Sequence, residues 1–246
     1  MLDLKGRVAL VTGGSSGIGR AIALALSARG ARVTVLGRSE ARLRSVRSEI
    51  EAAGGEVFVV RADLRQESEI VAAFDASQAR WGRLDVLVNS AAVGIESSLR
   101  DGRTEDWREM LEVNVLAVAM CMREAAKRFN AGTGGHIINI GSTSGHRIAA
   151  GASFYAATKF ALTALSEILR QELRSRNELT RISIVSPGRV HTGFLRSDSH
   201  SSETMHMSNG SELFPEDIAM TVVHILTAPS HVEVNDIIIR PRDQAR

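Results

Sequence analysis

Tyr155 and Lys159 lie four residues apart in the run Phe154-Tyr155-Ala156-Ala157-Thr158-Lys159-Phe160. On a helix that spacing puts both side chains on one face, where a phenol and an ammonium can serve a single site. A nearby ammonium favours phenolate and draws a phenol down from its usual pKa of about 10. The pair is therefore a candidate acid and base at neutral pH. The choice of lysine is informative: of the 30 basic residues only Lys5, Lys127 and Lys159 are lysine, and the other 27 are arginine. Arginine's broad planar fork is no substitute for a compact ammonium. Alone, a Tyr and a Lys at this spacing are more often a packed ring beside a solvated charge, so the reading depends on further motifs in the chain.

One such motif stands near the N-terminus. Thr12-Gly13-Gly14-Ser15-Ser16-Gly17-Ile18-Gly19 follows a β-branched strand pattern at residues 8–11 and opens a helical pattern at 18–29. Glycines allow a tight turn and close backbone approach, and a helix N-terminus offers free N–H groups and a positive dipole end to a pyrophosphate. Arg38 follows the second strand pattern in Leu36-Gly37-Arg38-Ser39, where a dinucleotide fold reads the adenosine ribose. A carboxylate there binds the free 2′-hydroxyl, whereas arginine suits a 2′-phosphate. With no Asp or Glu at positions 36–38, the expected cofactor is NADP(H).

The elements that must position these residues alternate along the chain. Strand patterns at 8–11, 33–36, 57–60, 86–88, 136–140 and 182–185 are separated by helical patterns at 18–29, 40–53, 67–80, 105–130 and 153–176. That rhythm reads as βαβ units in one α/β domain, a doubly wound parallel sheet of about seven strands with helices on both faces. Residues 193–214 break the rhythm and are expected to form a substrate loop or lid. A helix at 215–226 and a last strand at 232–239 close the chain.

The motifs taken together resemble the short-chain dehydrogenases/reductases of the single-domain type, over nearly the whole chain. Gly13, Gly17 and Gly19 are similar to that family's cofactor motif, and Asp63-Leu64 to its adenine-contacting pair. Asn89-Ser90-Ala91-Ala92 stands where the family has Asn-Asn-Ala-Gly, so Ser90 and Ala92 are departures. Pro187-Gly188-Arg189-Val190-His191-Thr192 matches the segment that holds the nicotinamide end. Asn114, Ser142, Tyr155 and Lys159 occupy the places of the catalytic residues.

The resemblance implies that Tyr155 exchanges a proton with a carbonyl or alcohol oxygen that Ser142 holds. It also implies that Lys159 tunes the tyrosine and binds the nicotinamide ribose, and that Asn114 supports a water reaching Lys159. The cofactor set is Gly13, Ser15, Ser16, Gly17, Ile18, Gly19, Arg38, Ser39, Asp63, Leu64, Asn89, Ala91, Tyr155, Lys159, Pro187, Gly188, Val190 and Thr192. Ser144, His146 and Phe194 are candidates for the substrate mouth. The C-terminal strand lacks a double-glycine ending and looks more like the subgroup acting on small hydroxy acids and alcohols than like acyl-carrier-protein reductases. A homotetramer or homodimer is implied as well, built partly from the helices at 105–130 and 153–176.

Composition narrows the alternatives. A net charge of +2 and 4% aromatic residues make no case for nucleic acid or an anionic membrane. No apolar run reaches the roughly 18 residues that span a bilayer, and no charged leader precedes the first strand, so a cytoplasmic location is expected. Cys121 is the sole cysteine, and the seven histidines show no metal-ligand spacing. Two rivals stay open at this level: a 3-oxoacyl thioester reductase, and a regulator that senses NADP(H) without turnover.

Overall fold

Five of the apolar runs form strands because they are short, rich in β-branched residues and almost wholly buried, the pattern of parallel strands covered on both faces. They are β1 (Val8–Thr12), β2 (Arg32–Gly37), β4 (Val86–Asn89), β6 (His136–Ile140) and β7 (Arg181–Pro187). Half-buried β3 (Val57–Arg61) and β9 (Asp236–Ile239) complete a seven-stranded sheet. Every pairing is parallel, in the order β3-β2-β1-β4-β6-β7-β9. The computed structural model describes residues 4–149, 152–192, 194–196 and 212–244; most of the lid expected at 193–214 lies outside the described residues.

Helices cover both faces of this single domain. On one side α1 (Gly17–Ser27), α2 (Glu40–Ala52) and α7 (Pro215–Leu226) pack through Ile22, Leu26, Val46, Ile50 and Val222 onto Val11, Val33, Val35 and Val88. On the other, α3 (Glu67–Trp81), α5 (Ala117–Arg128) and α6 (Phe154–Ser175) bury Ile70, Phe74, Cys121 and Leu162 against Leu10, Leu36, Leu87 and Ile137. Each large apolar side chain so buried stabilises the fold by roughly 1.5–3 kcal/mol. Helix starts follow local chemistry: the Ser39 hydroxyl accepts the Arg42 N–H at the head of α2, and Asp217 accepts the Phe214 N–H at 2.8 Å before α7.

Three features differ from the sequence pattern. The helix expected over 105–130 is α4 (Thr104–Leu111), a π-helical turn at Glu112–Leu116, and then α5. The wide turn is where Asn114 sits, its amide bonded to another element rather than lost in the helix surface. The last strand begins at Asp236 rather than 232, because the Val232 N–H folds back to Pro229 O at 2.9 Å and the Val234 carbonyl accepts the Ser183 hydroxyl. Finally, β5 (Gly94–Ile95) and β8 (Leu195–Arg196) pair in parallel as a separate two-stranded sheet.

Candidate active site

The chain runs from β1 outward through β2 to β3 and then crosses back to β4 on the other side of β1. Such a reversal opens a crevice beyond the carboxyl ends of the two central strands, and the predicted motifs converge there. Gly13 has φ +63°, and a Cβ on it would lie 2.7 Å from Ala91 Cα; one on Gly19 would lie 2.5 Å from Gly13 O. Both positions require glycine. The Thr12 hydroxyl accepts the N–H groups of Ser90 and Ala91 at 3.1 and 3.2 Å, tying the ends of β1 and β4 together. Ser16 stands at the N-cap of α1 without a side-chain capping bond, and no acid occupies the first turn. The helix N–H groups thus remain open to an anion.

Asn89 is held from behind. Its Nδ2 donates to Asn139 Oδ1 at 2.9 Å, and Asn139 Nδ2 donates to Ser166 Oγ at 2.8 Å. Asn89 Oδ1 is buried with no protein donor, a free acceptor facing a site that would bind a polar group. Thr12, Asn139 and Ser166 carry no motif of their own. Only their place behind Gly13 and Asn89, visible once the strands are paired, reveals their supporting role.

The adenosine end is set by β2 and β3. Gly37 lies against Ser15, Arg38 is exposed beyond the strand, and Ser39 caps α2. The Leu64 side chain is buried in the core, so only its backbone is left to face a ligand. At the opposite end Pro187 closes β7, and the Gly188 N–H donates to Ile239 O at 2.7 Å. Gln244 Oε1 accepts the Arg189 N–H at 3.0 Å and stands where a Cβ on Gly188 would be. Val190 bridges to Leu213, and Thr192 lies against Gly17, whose missing Cβ would be 3.6 Å from Thr192 Cγ2. The two cofactor motifs therefore meet, and their glycines, open helix N-terminus and orphan amide fit a dinucleotide.

Between them stand the catalytic candidates. Ser142 follows β6 and caps the short turn Thr143–Gly145, its Oγ accepting the Ser144 N–H at 3.1 Å. Gly145 lets that turn rest on α6, since a Cβ there would be 2.8 Å from Lys159 O. Tyr155 and Lys159 lie in the first turns of α6, with the ammonium nitrogen 5.5 Å from the phenol ring centroid. Lys159 is buried and donates to Ile140 O at 2.9 Å. Asn114 accepts the Val93 N–H at 2.7 Å and donates to Val93 O at 2.8 Å and Thr158 Oγ1 at 3.1 Å, fixing α6 to the segment after β4.

The electrostatics correct one sequence expectation. Burial pushes the Tyr155 phenol up, opposed by its hydrogen bond with Ser142. Burial also lowers Lys159 to about 8. The ammonium, turned to the Ile140 carbonyl, does not draw the phenol down in this geometry. Desolvation outweighs the pairing, so the resting site holds a protonated tyrosine ready to donate.

The substrate candidates separate. Phe194 meets the Tyr155 ring edge-on at 5.7 Å, held beside β8. Ser144 is engaged through its N–H. His146 is committed elsewhere: its Nε2 lies 2.8 Å from Ser186 Oγ and 3.6 Å from Asp236 Oδ2, at the β7–β9 edge. A small apolar cluster of Val93, Ile95, Met110 and Val113 packs behind Tyr155, with Trp107 stacked on Phe154 at 5.4 Å. Among the described residues no group of three or more His, Cys, Asp or Glu could hold a metal, and no helix is long and apolar enough to cross a membrane.

Known proteins resemble this chain in sequence and fold. The short chain dehydrogenase family model matches residues 7–203. A chicken (Gallus gallus) protein, dehydrogenase/reductase SDR family member 11, is 40% identical over 97% of each chain. The crystal structure of a metagenomic short-chain oxidoreductase in complex with NADP superposes with a TM-score of 0.81 at 35% identity, covering 97% of this chain and 98% of that one. A short-chain dehydrogenase/reductase from Burkholderia phymatum in complex with NAD has a TM-score of 0.86 at 26% identity, covering 97% and 90%.

Proposed function

The chain belongs to the short-chain dehydrogenase family of oxidoreductases, and from that premise we propose that it is an NADP(H)-dependent enzyme interconverting a carbonyl and a secondary alcohol. The observation that carries the reading is the convergence of Ser142, Tyr155 and Lys159 on one wall of the crevice that the glycine loop opens. A sensor without turnover needs no proton-transfer set.

When bound, the nicotinamide supplies or accepts the hydride. Everything else falls to the protein. The Tyr155 hydroxyl, protonated at rest, donates its proton to the carbonyl oxygen in reduction and takes one back in oxidation. Ser142, already hydrogen-bonded to that phenol, holds the same oxygen and stabilises its charge as it develops. Lys159, lowered to about 8 by burial, can change protonation state near neutral pH and return a proton toward Tyr155. Asn114 and Thr158 fix the turn of α6 that carries both. Phe194 and the apolar cluster behind Tyr155 shield the proton transfer from bulk water.

The glycine loop, Asn89 and the segment from Pro187 to Thr192 would hold the dinucleotide, and Arg38 its 2′-phosphate. Because structural relatives are described with either NADP or NAD, the NADP reading rests on Arg38 and on the lack of a carboxylate at 36–38. We further place the protein in the cytoplasm as a homotetramer or homodimer without nucleic-acid or membrane partners. Exposed Leu116, Phe160 and Ile168 on the helical segments assigned to assembly support that, and sedimentation at micromolar protein showing only monomer would contradict it.

The test of function is fluorescence titration of NADPH and NADH, followed by loss of reduced-nicotinamide absorbance with ketones, keto acids and 3-oxoacyl thioesters. Selective NADPH binding with turnover of a carbonyl class is expected. Tight binding with no turnover across the panel would favour the sensor.

A further inference from the structure

Asp63 and Arg38 leave neighbouring strand ends together: the Ala62 N–H donates to Gly37 O at 3.0 Å, and the next residue on each strand is Asp63 and Arg38. A carboxylate in that position has two unfavourable options when a 2′-phosphate is to bind. It repels the phosphate, or it captures the arginine meant for it. In the structure the carboxylate is paired with Arg65, and no ion pair joins it to Arg38. Arg65 Nε lies 3.0 Å from Asp63 Oδ1 and 3.1 Å from Oδ2, Nη2 lies 2.5 Å from Oδ2, and the Arg65 N–H donates to Oδ1 at 3.1 Å. Three donors therefore cover both oxygens, close to the whole acceptor capacity of a carboxylate.

The surroundings agree. The Arg65 hydrogen bonds, aided by the charges of Arg65 and Arg38, hold the Asp63 carboxyl below the usual carboxylate range. The Asp63 N–H is in turn bonded to Glu69 Oε2 at 2.8 Å, which fixes the backbone of the clamp. Glu40, the acid nearest to Arg38 in sequence, is paired with Arg44 at 3.4 Å. Among the described residues no carboxylate pairs with Arg38.

Resting on the reading of Arg38 as the 2′-phosphate ligand, we propose that Arg65 is a positioning residue for cofactor preference: by neutralising Asp63 it keeps Arg38 free for the 2′-phosphate of NADP(H). Arg65 acts through Asp63 and need not touch the cofactor. Its removal turns an internal ion pair into a competitor for Arg38.

The test measures dissociation constants of NADPH and NADH by fluorescence titration for the wild type, Arg65→Met, and Arg65→Met combined with Asp63→Asn, with thermal melting of each protein alongside. Arg65→Met should weaken NADPH about fivefold, the scale of one exposed charge pair, and leave NADH within about twofold. Adding Asp63→Asn should return the ratio of NADPH to NADH affinity to within about twofold of wild type. Asp63 also belongs to the adenine contact that both cofactors share, so the rescue is read in that ratio and not in absolute affinity, and a purely structural role for Arg65 would not produce it. Equal loss of both cofactors, no loss of either, or absence of rescue would overturn the proposal. If the wild type itself does not prefer NADPH, the Arg38 reading fails first; if it does and Arg65→Met keeps the same preference, only the role of Arg65 falls.

Discussion

Two polar clusters on the same face of the sheet are used in opposite ways. Thr34 on β2 accepts the Trp81 indole N–H at 2.9 Å and shares a 2.8 Å hydrogen bond with Ser77, so α3 is pinned to the sheet by neutral groups that satisfy one another. Lys159 is likewise buried and Ser142 and Tyr155 beside it are half-buried, but two of the three are titratable. Burial moves both toward their neutral forms, the phenol upward and the ammonium to about 8. Asn89 beside them keeps a buried acceptor unmatched by any protein donor. The first cluster is closed and the second has valences left over. Polar burial contributes to stability when the hydrogen bonds are complete, and it marks function when they are completed only by a ligand.

Replacing Lys159 with Met should have the largest effect short of removing Tyr155. Turnover should fall about 10²–10³-fold, within the range of a lost proton-transfer group, with weaker cofactor binding by titration; unchanged turnover would remove lysine from the mechanism. Ser142→Ala should cost about 10²-fold in kcat with melting temperature nearly unchanged, the signature of a donor used mainly in the transition state. Thr34→Val inverts that pattern. It should lower stability by about 1–3 kcal/mol in denaturant titration, because the Trp81 N–H and Ser77 hydroxyl lose their partner, while kcat stays within about twofold.

A further expected effect is one of pH. Lys159 has a folded value of about 8 against an ordinary 10.5, so between these values the unfolded chain binds the extra proton. Wild-type stability should therefore gain, as pH rises from about 8 to 10, relative to Lys159→Met. Parallel stability curves for the two proteins would show that the ammonium bears no burial penalty.

Much of this contrast was legible in the sequence, on one side more than the other. The glycine run, Arg38, Ser142, Tyr155 and Lys159 are motif residues whose spacing is tied to strand ends and a helix face, and the parallel strands advertise themselves as short runs rich in β-branched residues. The π turn at Asn114 was invisible because a single extra residue leaves a helical hydrophobic pattern nearly intact. Two-residue strands such as β5 and β8 carry no periodicity at all. The contacts of His146 were not legible because closeness to Ser142 in sequence says nothing about which way a turn directs its side chain, here toward Ser186 and Asp236. The phenol's shift was misjudged for a related reason: helical spacing gives the distance between two groups but not their desolvation.

The most direct test of the central claim is single-turnover oxidation of bound NADPH by a carbonyl substrate, comparing the wild type with Tyr155→Phe. The variant should bind NADPH within about threefold of wild type and melt within a few degrees of it, yet lose about 10³-fold or more in the rate of oxidation. Oxidation at the wild-type rate would contradict the central claim, because the proton would then come from a group other than Tyr155.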